Sequence, residues 1–328
     1  EAQLKPLLKA QAKKGKKWIV QTKIRCYAVE DDDDHKEDKG ALYKTALESL
    51  KTIGREEVPE GDTTNVDMLT IHGVNIKSHV ATCLEEHGSI AQVNQLKKDK
   101  KCKAVGFAGH CHVDDFVKII ESDRMDYVNI HFGFFSSYTN VDNQDAVLAA
   151  AKKQMGIYCI SPSNQGGELH KPPPKLVEAC KPLHPLEFGL LYLLTHKGIG
   201  DGGSVSVGPK DATHFDKQIR AIKLLEAGVA KKLLPPIVKK LRAMVREELG
   251  TEYCDGLADR VGPYTQGADR KEGAEAGSVA IPGNMNLSLL LLTHGLHRTF
   301  GMTSYMNRMA TNLAWPGDWC AGGSLSVL

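Results

Sequence analysis

The stretch Lys103–Ile120, KAVGFAGHCHVDDFVKII, joins two patterns that are typical of different secondary structures. Its first part, Ala104–Phe107, is a short apolar run without a polar side chain on either face, as expected for a strand that is covered on both sides. The segment that follows, Val113–Glu121, places apolar residues three and four positions apart among charged ones, which is the spacing of an amphipathic helix. The stretch therefore predicts a strand followed by a helix.

The same alternation recurs on both sides of this stretch. Six apolar runs predict strands: Trp18–Ile24, Val66–Ile71, Ala104–Phe107, Tyr127–Ile130, Ile157–Ile160 and Ser204–Val207. The polar or amphipathic segments between and after them predict helices: Lys39–Ile53, Ser78–Leu96, Val113–Glu121, Asp145–Gln154, Leu186–His196 and Thr213–Leu225. Strands that alternate with helices form βαβ units and a parallel sheet. The pattern alone leaves open a doubly wound sheet and an eight-stranded barrel, although no G-x-G-x-x-G follows the first strand.

After about residue 228 the alternation of strand and helix patterns ends. Lys231–Leu249 has the pattern of a basic amphipathic helix, and Leu257–Val279 is rich in Gly, Asp and Ala, as in a surface loop. Asn286–Phe300 and Met302–Ala314 predict two further helices. We therefore expect a main domain over residues 1–228 and a helical C-terminal extension over residues 229–328 that packs on it.

Composition and charge exclude several classes of protein. The chain has 328 residues and a net charge of +2, so nothing at whole-chain level favours nucleic acid or an anionic membrane as a partner. The longest apolar stretch, Leu287 to Thr293, is far too short to cross a bilayer. We expect a protein that is soluble and not transmembrane.

The eight cysteines, at positions 26, 83, 102, 111, 159, 180, 254 and 320, include no C-x-x-C pair. This favours reduced thiols and a reducing compartment, either the cytoplasm or the interior of an organelle such as a plastid or a mitochondrion. The cluster GHCH at Gly109–His112 and the acidic run Asp31–Asp34 lack the ligand spacing of zinc and calcium sites. We therefore predict no metal.

Two ionisable residues stand near the ends of predicted strands. Lys23 lies in WIVQTKI, and His72 lies in VDMLTIHGVN. Each has a purely structural interpretation, as a salt-bridged lysine and as a hydrogen-bonded core histidine, because a buried charge or polar group needs a partner. In a barrel, however, the carboxyl ends of the strands carry the active site.

Taken together, IVQTKI and VDMLTIHGVN resemble the aldo-keto reductases, in which a strand-end lysine is followed one strand later by a strand-end histidine. The resemblance continues in order along residues 1–225. KAVGFAGHCHVDDFVKII is similar to the family's fifth unit, YVNIHF to its sixth strand, and GIYCISPSNQGGELH to its seventh strand and loop. PLHPLEFGLLYLLTHKGI and SVSVGPKDATHFDKQI are similar to the stretch that ends in the phosphate-binding loop.

The resemblance implies a (β/α)8 TIM-type barrel of the aldo-keto reductase kind, in which this chain supplies the third to eighth strands. The first two β/α units would lie upstream of Glu1. The C-terminal segment resembles the tail of a long branch of the family that carries iron–sulfur cysteines in some members. Only Cys254 and Cys320 occur in that region here, so no cluster is expected.

The family's activity implies an NADPH-dependent oxidoreductase that reduces an aldehyde or a ketone, a small carbonyl substrate. Its catalytic tetrad is Asp, Tyr, Lys and His, and Lys23 and His72 match the last two. The aspartate and the tyrosine would belong to the upstream units, and Tyr27 and Tyr43 do not match the tyrosine's place. The substrate is expected near Lys23, His72, Phe132 and Phe134.

The cofactor residues implied by the resemblance fall into two groups. Those at the ends of the family's fifth, sixth and seventh strands, at the nicotinamide end of the cofactor, are Gly109, His110, Asn129, Ser161 and Pro162. Those that hold the 2′-phosphate and the adenine are Gly208, Lys210, His214 and Gln218. Ile160 takes a place where many members stack an aromatic ring on the nicotinamide, and Gln218 replaces a customary asparagine.

These departures keep a second hypothesis open. The chain would then be a catalytically inactive barrel that serves as a structural subunit of a larger complex, with other proteins as partners. Retention of Lys23 and His72 favours the enzyme, because a purely structural barrel has no need of them.

Overall fold

The computed structural model describes residues 1–26, 40–75, 77–111, 113–136, 143–164, 167–209, 211–254 and 287–313. The chain forms two compact units, residues 1–109 with 118–129 and residues 110–117 with 130–328. None of the described helices has the length and apolar character needed to cross a bilayer.

All six predicted strands are present, and helices alternate with them. The strands are β1 (Gln21–Arg25), β2 (Val66–Val74), β3 (Cys102–Gly109), β4 (Tyr127–His131), β5 (Gly156–Ile160) and β6 (Ser204–Val205). Their order in the sheet follows the chain, and β1–β2, β2–β3, β3–β4 and β5–β6 pair in parallel. The predicted α/β class with a parallel sheet is confirmed, whereas closure into an eight-stranded barrel stays a prediction.

The helices are α1 (Leu4–Ala12), α2 (Ala41–Thr52), α3 (Lys77–Leu84), α4 (Ser89–Lys98), α5 (Val113–Glu121), α6 (Gln144–Lys152), α7 (Pro174–Cys180), α8 (Pro185–Leu194), α9 (Lys197–Gly200), α10 (His214–Glu226), α11 (Ala230–Leu249), α12 (Leu287–Phe300) and α13 (Thr303–Leu313). Two short 3-10 helices cover Phe134–Ser136 and Glu168–His170. The predicted loop Leu257–Val279 lies outside the described residues.

In the first unit the sheet is strongly curved. Gln21 Nε2 on β1 donates to Asn129 Oδ1 on β4 at 3.2 Å, and Asn129 Nδ2 donates back to Gln21 Oε1 at 3.4 Å. In a flat sheet three strand spacings would hold β1 and β4 about 14 Å apart. Because the side chains nevertheless meet, the strands must curl around the face that carries them, as in a barrel.

A glycine makes room for a buried hydrogen bond on this concave face. Gly106 on β3 lies between Thr70 on β2 and Tyr127 on β4 in the strand register. The ring of Tyr127 covers the glycine so closely that a Cβ there would lie 2.3 Å from a ring carbon. The hydroxyl groups of Tyr127 and Thr70 are 2.7 Å apart and buried. Both polar groups are thereby satisfied inside the unit.

The second unit has a core rich in aromatic rings. Phe134 packs edge-on against Phe135 and Phe188, with ring centroids 5.3 and 5.1 Å away. Phe300 at the end of α12 meets Phe135 at 5.8 Å, and Tyr305 on α13 is buried in the same cluster. The two C-terminal helices therefore contribute to the core of this unit. The predicted division into domains at residue 228 stays a prediction.

A buried carboxylate also ties α13 to this unit. Glu168 is 5% exposed and accepts hydrogen bonds from Ser304 Oγ at 3.1 Å and Arg308 Nη2 at 3.2 Å. A buried charge needs such partners, because desolvation is otherwise costly.

Candidate functional site

The first unit brings the two predicted catalytic residues together. Lys23 pairs in register with Thr70, and His72 is two residues further along β2. Residues that are paired or two apart point to the same face, so both side chains lie on the concave face with their Cα atoms about 8 Å apart. Both lie near the carboxyl ends of their strands, where a barrel carries its active site.

The charge of Lys23 acts on His72. The imidazole is half-buried, and burial lowers its pKa below the usual value, with repulsion from Lys23 and Arg25 lowering it further. His72 is therefore neutral near pH 7, with one ring nitrogen that donates and one that accepts. The pair consists of a cationic lysine next to a neutral histidine.

Two residues that are predicted to lie at the nicotinamide end of the cofactor also belong to the first unit. Asn129 is buried, and its amide is occupied by the reciprocal hydrogen bonds with Gln21. Gly109 ends β3, where a Cβ would lie only 1.8 Å from the carbonyl oxygen of Val74. This close approach gives the glycine a structural reason that is independent of any ligand. The next predicted residue, His110, is half-buried in the second unit.

The second unit contains a small cleft between the segments that follow β4 and β5. We call it the aromatic cleft. It is lined by His131, Phe132, Gly133, Phe134, Phe135, Ser161, Pro162, Asn164, Leu169, Gly189 and Leu193. The predicted cofactor residues Ser161 and Pro162 thus line a cleft. Phe132 and Phe134, which are predicted to lie near the substrate, line the same cleft.

Two buried polar atoms of this cleft have no partner among the described residues. They are Nδ1 of His131 and Nδ2 of Asn164, whose side chains are 4% and 6% exposed. Burial lowers the pKa of His131 to about 4, so the ring is neutral at physiological pH. Unsatisfied buried polar atoms are uncommon, and a polar group of a ligand or a bound water would satisfy them.

The loop after β5 has an uncommon backbone conformation. Ser161 has a φ of 54° and Asn164 a φ of 59°, and the N–H of Asn164 donates to the carbonyl of Ser161 at 3.1 Å. Left-handed φ values are uncommon for residues other than glycine and are often found at ligand sites. The loop that carries the predicted cofactor residues Ser161 and Pro162 is therefore strained.

The other predicted cofactor residues lie around the N-terminus of α10. His214 is its first residue and is half-buried, Gln218 is buried one turn later, and Gly208 is exposed in the preceding segment. The Oε1 atom of Gln218 is buried without a donor among the described residues. Lys210 lies outside the described residues.

A carboxylate that is not among the residues predicted from the sequence occupies this helix terminus. Asp211 Oδ1 accepts the N–H of Thr213 at 2.8 Å, and Oδ2 lies 3.4 Å from Nε2 of His214. Hydrogen bonds from Thr213 lower the pKa of Asp211. A helix N-terminus normally favours anions, and here the protein supplies one itself.

Histidines and cations surround the same place. The rings of His170 and His214 stack with centroids 3.9 Å apart and an interplanar angle of 18°. Burial lowers the pKa of His184 to about 4, with further lowering by Lys217, His170 and Arg220. Lys217 and Arg220 thus bring positive charge to α10, where Asp211, Asp216 in the first turn and the buried Glu187 bring negative charge. Glu187 pairs with Arg220 at 3.1 Å.

Within the described residues, no group of three His, Cys, Asp or Glu side chains is placed to hold a metal ion. His112 of the GHCH cluster and the run Asp31–Asp34 lie outside those residues. Neither His131 nor Asn164 is among the site residues predicted from the sequence. Their signal is weak, because only the folded chain shows that these polar atoms are buried without partners.

No protein-family model matches the chain, and no curated protein matches it. Its neighbours among solved structures are aldo-keto reductases. One from Bacillus halodurans in its holo form is 13% identical, with 72% of this chain and 78% of that chain covered and a TM-score of 0.50. One from Klebsiella pneumoniae in complex with NADPH is 12% identical, with coverages of 66% and 70% and a TM-score of 0.44. The Bacillus structure shows that the fold is shared.

Proposed function

We propose that this protein is an NADPH-dependent oxidoreductase that reduces an aldehyde or a ketone to an alcohol. The observation that carries the proposal is the placement of Lys23 beside His72 on the concave face, near the carboxyl ends of β1 and β2. The sequence resemblance assigns catalytic roles to these same two residues, and the shared fold supports it.

The chemistry of the pair suits carbonyl reduction. NADPH, when bound, supplies the hydride. Neutral His72 can donate one N–H to the carbonyl oxygen and orient the substrate, while the positive charge of Lys23 stabilises the negative charge that develops on this oxygen. The proton that converts the resulting alkoxide to the alcohol would come from the tyrosine of the family's tetrad. A cationic histidine would compete with Lys23 for acceptors, so the lowered pKa of His72 suits this role.

Several residues of the second unit fit parts of the cofactor. Ser161 and Asn164 are suited to contact the nicotinamide end of the cofactor, because the Nδ2 donor of Asn164 is buried and unsatisfied. Gln218 is suited to the adenine, because its buried Oε1 can accept from an exocyclic amine. Lys210 and His214 are suited to the 2′-phosphate, for which Lys217 adds positive charge.

Asp211 opposes the phosphate at this place. Its carboxylate takes the N–H of Thr213, which a phosphate at the N-terminus of α10 would otherwise use, and it adds negative charge. We therefore expect the affinity for NADPH to be limited by this residue, and the variant Asp211→Asn to bind NADPH several-fold more tightly than the wild type.

Fluorescence titration with NADPH and with NADH tests the proposal, since the two cofactors differ only in the 2′-phosphate. Binding needs neither the tyrosine nor the aspartate of the family's tetrad. We expect Lys210→Ala to weaken NADPH binding about tenfold, the loss of one charge-assisted contact, and to leave NADH unchanged. Gln218→Ala should weaken both cofactors. Lys223→Ala, an exposed position on α10, is the matched control.

A reductase assay with simple aldehydes and ketones, run on protein that includes the tyrosine and the aspartate of the family's tetrad, then tests the chemistry. Lys23→Met and His72→Gln should each abolish most of the NADPH oxidation while leaving NADPH binding intact. If neither cofactor binds, the proposal fails. The alternative, an inactive barrel that serves as a structural subunit, would then be favoured by the half-buried Ile160 at the stacking position and by Asp211 at the helix terminus.

A further inference from the structure

Two cysteines of the first unit lie in direct contact although they are far apart in the sequence. Cys26 follows β1 and Cys83 lies on α3, and their sulfur atoms are 3.4 Å apart. Cys83 is fully buried, whereas Cys26 is partly accessible to solvent. The hydroxyl of Ser89, the first residue of α4, lies 3.7 Å from the sulfur of Cys26.

We propose that Cys26 and Cys83 form a reversible disulfide and are a site of redox modification in this protein. A disulfide needs a sulfur–sulfur distance of about 2.05 Å, so the two sulfur atoms must approach by only about 1.4 Å. Rotation of the two short side chains can provide most of this movement.

Three other buried cysteines are poor candidates for the same chemistry. Burial raises the pKa of Cys102, Cys159 and Cys180 to about 12 in each case. The thiolate is the reactive form of cysteine, so these three thiols resist oxidation at neutral pH. An oxidant should therefore act on the contacting pair before it acts on these three thiols.

Hydrogen peroxide is a sufficient oxidant. The sulfur of Cys26, the more accessible of the two, attacks one peroxide oxygen, the O–O bond breaks, and a sulfenic acid and one water are formed. The sulfur of Cys83 then attacks the sulfur of Cys26, the S–O bond breaks, and a second water leaves with the proton of Cys83. In total, two thiols lose two electrons and two protons to one peroxide molecule, which becomes two waters.

The disulfide would be close to the candidate catalytic residues. The backbone N–H of Cys26 donates to the carbonyl oxygen of His72 at 2.6 Å, and Cys26 follows Lys23 by three residues. The cross-link would fasten the end of β1 to α3 next to this pair. The inference is independent of the proposed function, because it rests on the sulfur contact alone.

The test is a count of thiols by mass. The full chain is treated with a small excess of hydrogen peroxide, denatured, and labelled with N-ethylmaleimide. We expect oxidised wild-type protein to carry two labels fewer than untreated protein and to regain both after dithiothreitol. Tryptic digestion should yield one cross-linked species that joins the peptides starting at Cys26 and Ser78.

Variants identify the pair. Cys26→Ser and Cys83→Ser should each lose no label to disulfide formation under the same conditions, whereas Cys102→Ser should behave like the wild type. The proposal is overturned if wild-type protein keeps all its labels, if the cross-link joins other cysteines, or if Cys26 is converted to a sulfinic acid without a cross-link. The peptide map of the wild type decides the matter even if a serine variant fails to fold.

Discussion

Individual charges determine the chemistry that Lys23 and His72 can perform. His72 is neutral because burial and two neighbouring cations disfavour its protonated form. This neutral state is what allows one nitrogen to donate and the other to accept.

The first prediction concerns the coupling between these two residues. Replacing Lys23 by Met removes a positive charge that repels the imidazolium, so the pKa of His72 should rise towards its usual value. The ring protons of His72 can be followed in an NMR titration of the wild type and the variant. Lys98→Met, an exposed position, should leave the titration unchanged, and an unaltered pKa in Lys23→Met would show that the residues are not coupled.

The second prediction concerns His131 and acid stability. Its folded pKa of about 4 lies below the usual histidine pKa of 6.5, so the unfolded chain binds the proton more tightly. Stability conferred by the neutral ring is complete above pH 6.5 and is lost as the pH falls towards 4, by up to about 3 kcal/mol.

Urea unfolding between pH 7 and pH 4 measures this loss. In His131→Gln the acid-dependent fall of the unfolding free energy should be smaller by a similar amount, although the contribution of His184 remains in the same range. The exposed His87→Gln is the matched control and should keep the slope of the wild type. An equal slope in His131→Gln would contradict the assignment.

At the scale of the elements, packing between strands depends on a few positions without a side chain. The hydrogen bond between the hydroxyl groups of Thr70 and Tyr127 can connect β2 with β4 only because β3 carries Gly106 between them. The third prediction is that Gly106→Ala destabilises the protein by about 1–3 kcal/mol, because the new methyl group must displace the ring of Tyr127.

Thermal or urea unfolding measures this effect. Gly133→Ala is the control, since a Cβ at that position meets nothing within 4 Å, and it should change stability much less. If Gly106→Ala proved as stable as Gly133→Ala, the close packing of the Tyr127 ring would be wrong.

The sequence predicts most of the elements because its apolar runs are distinct. All six strands appear close to their predicted positions, but β1 begins at Gln21 rather than Trp18, because Trp18 and Ile19 are 51% and 78% exposed. The helix predicted over Ser78–Leu96 is two helices, α3 and α4. They separate at Gly88, where a Cβ would lie 2.0 Å from the carbonyl oxygen of Thr82.

The candidate site is predictable only in part. Lys23 and His72 are conspicuous in the sequence as ionisable residues near the ends of apolar strands, and the family resemblance predicts their catalytic roles. His131 and Asn164 are not, because their unsatisfied atoms arise from tertiary packing. Asp211 has a local signal, since an aspartate two residues before a threonine at a helix start often accepts backbone N–H groups, but the family resemblance drew attention to Lys210 instead.

At the scale of the whole chain, residues far apart in sequence stabilise the second unit. Glu168 and Arg308 are 140 positions apart and form an ion pair in which the carboxylate is only 4% exposed. The fourth prediction is that Arg308→Met destabilises the protein by about 3 kcal/mol, because the buried charge of Glu168 then loses its cationic partner and keeps the hydrogen bond from Ser304.

The matched control for this prediction is a solvent-exposed ion pair between α11 and α12. Arg298 lies 2.7 Å from Glu248, with side chains 55% and 30% exposed, and Arg298→Met should cost no more than about 1 kcal/mol. Urea unfolding of both variants gives the two values. Equal losses would mean that Glu168 is not stabilised by its partner as the geometry indicates.

The aromatic core of the second unit has a consequence for how the protein is made. Phe134 and Phe188 are packed in a cluster that includes Phe300 and Tyr305. During synthesis at about 5–20 residues per second, Tyr305 follows Phe134 by about 10 to 30 s. For that time the apolar surface of the growing chain lacks its cover, and it is a natural target for chaperones that bind nascent chains. Substitutions in α12 and α13 should therefore reduce the yield of folded protein in cells before they alter any chemistry at Lys23 and His72.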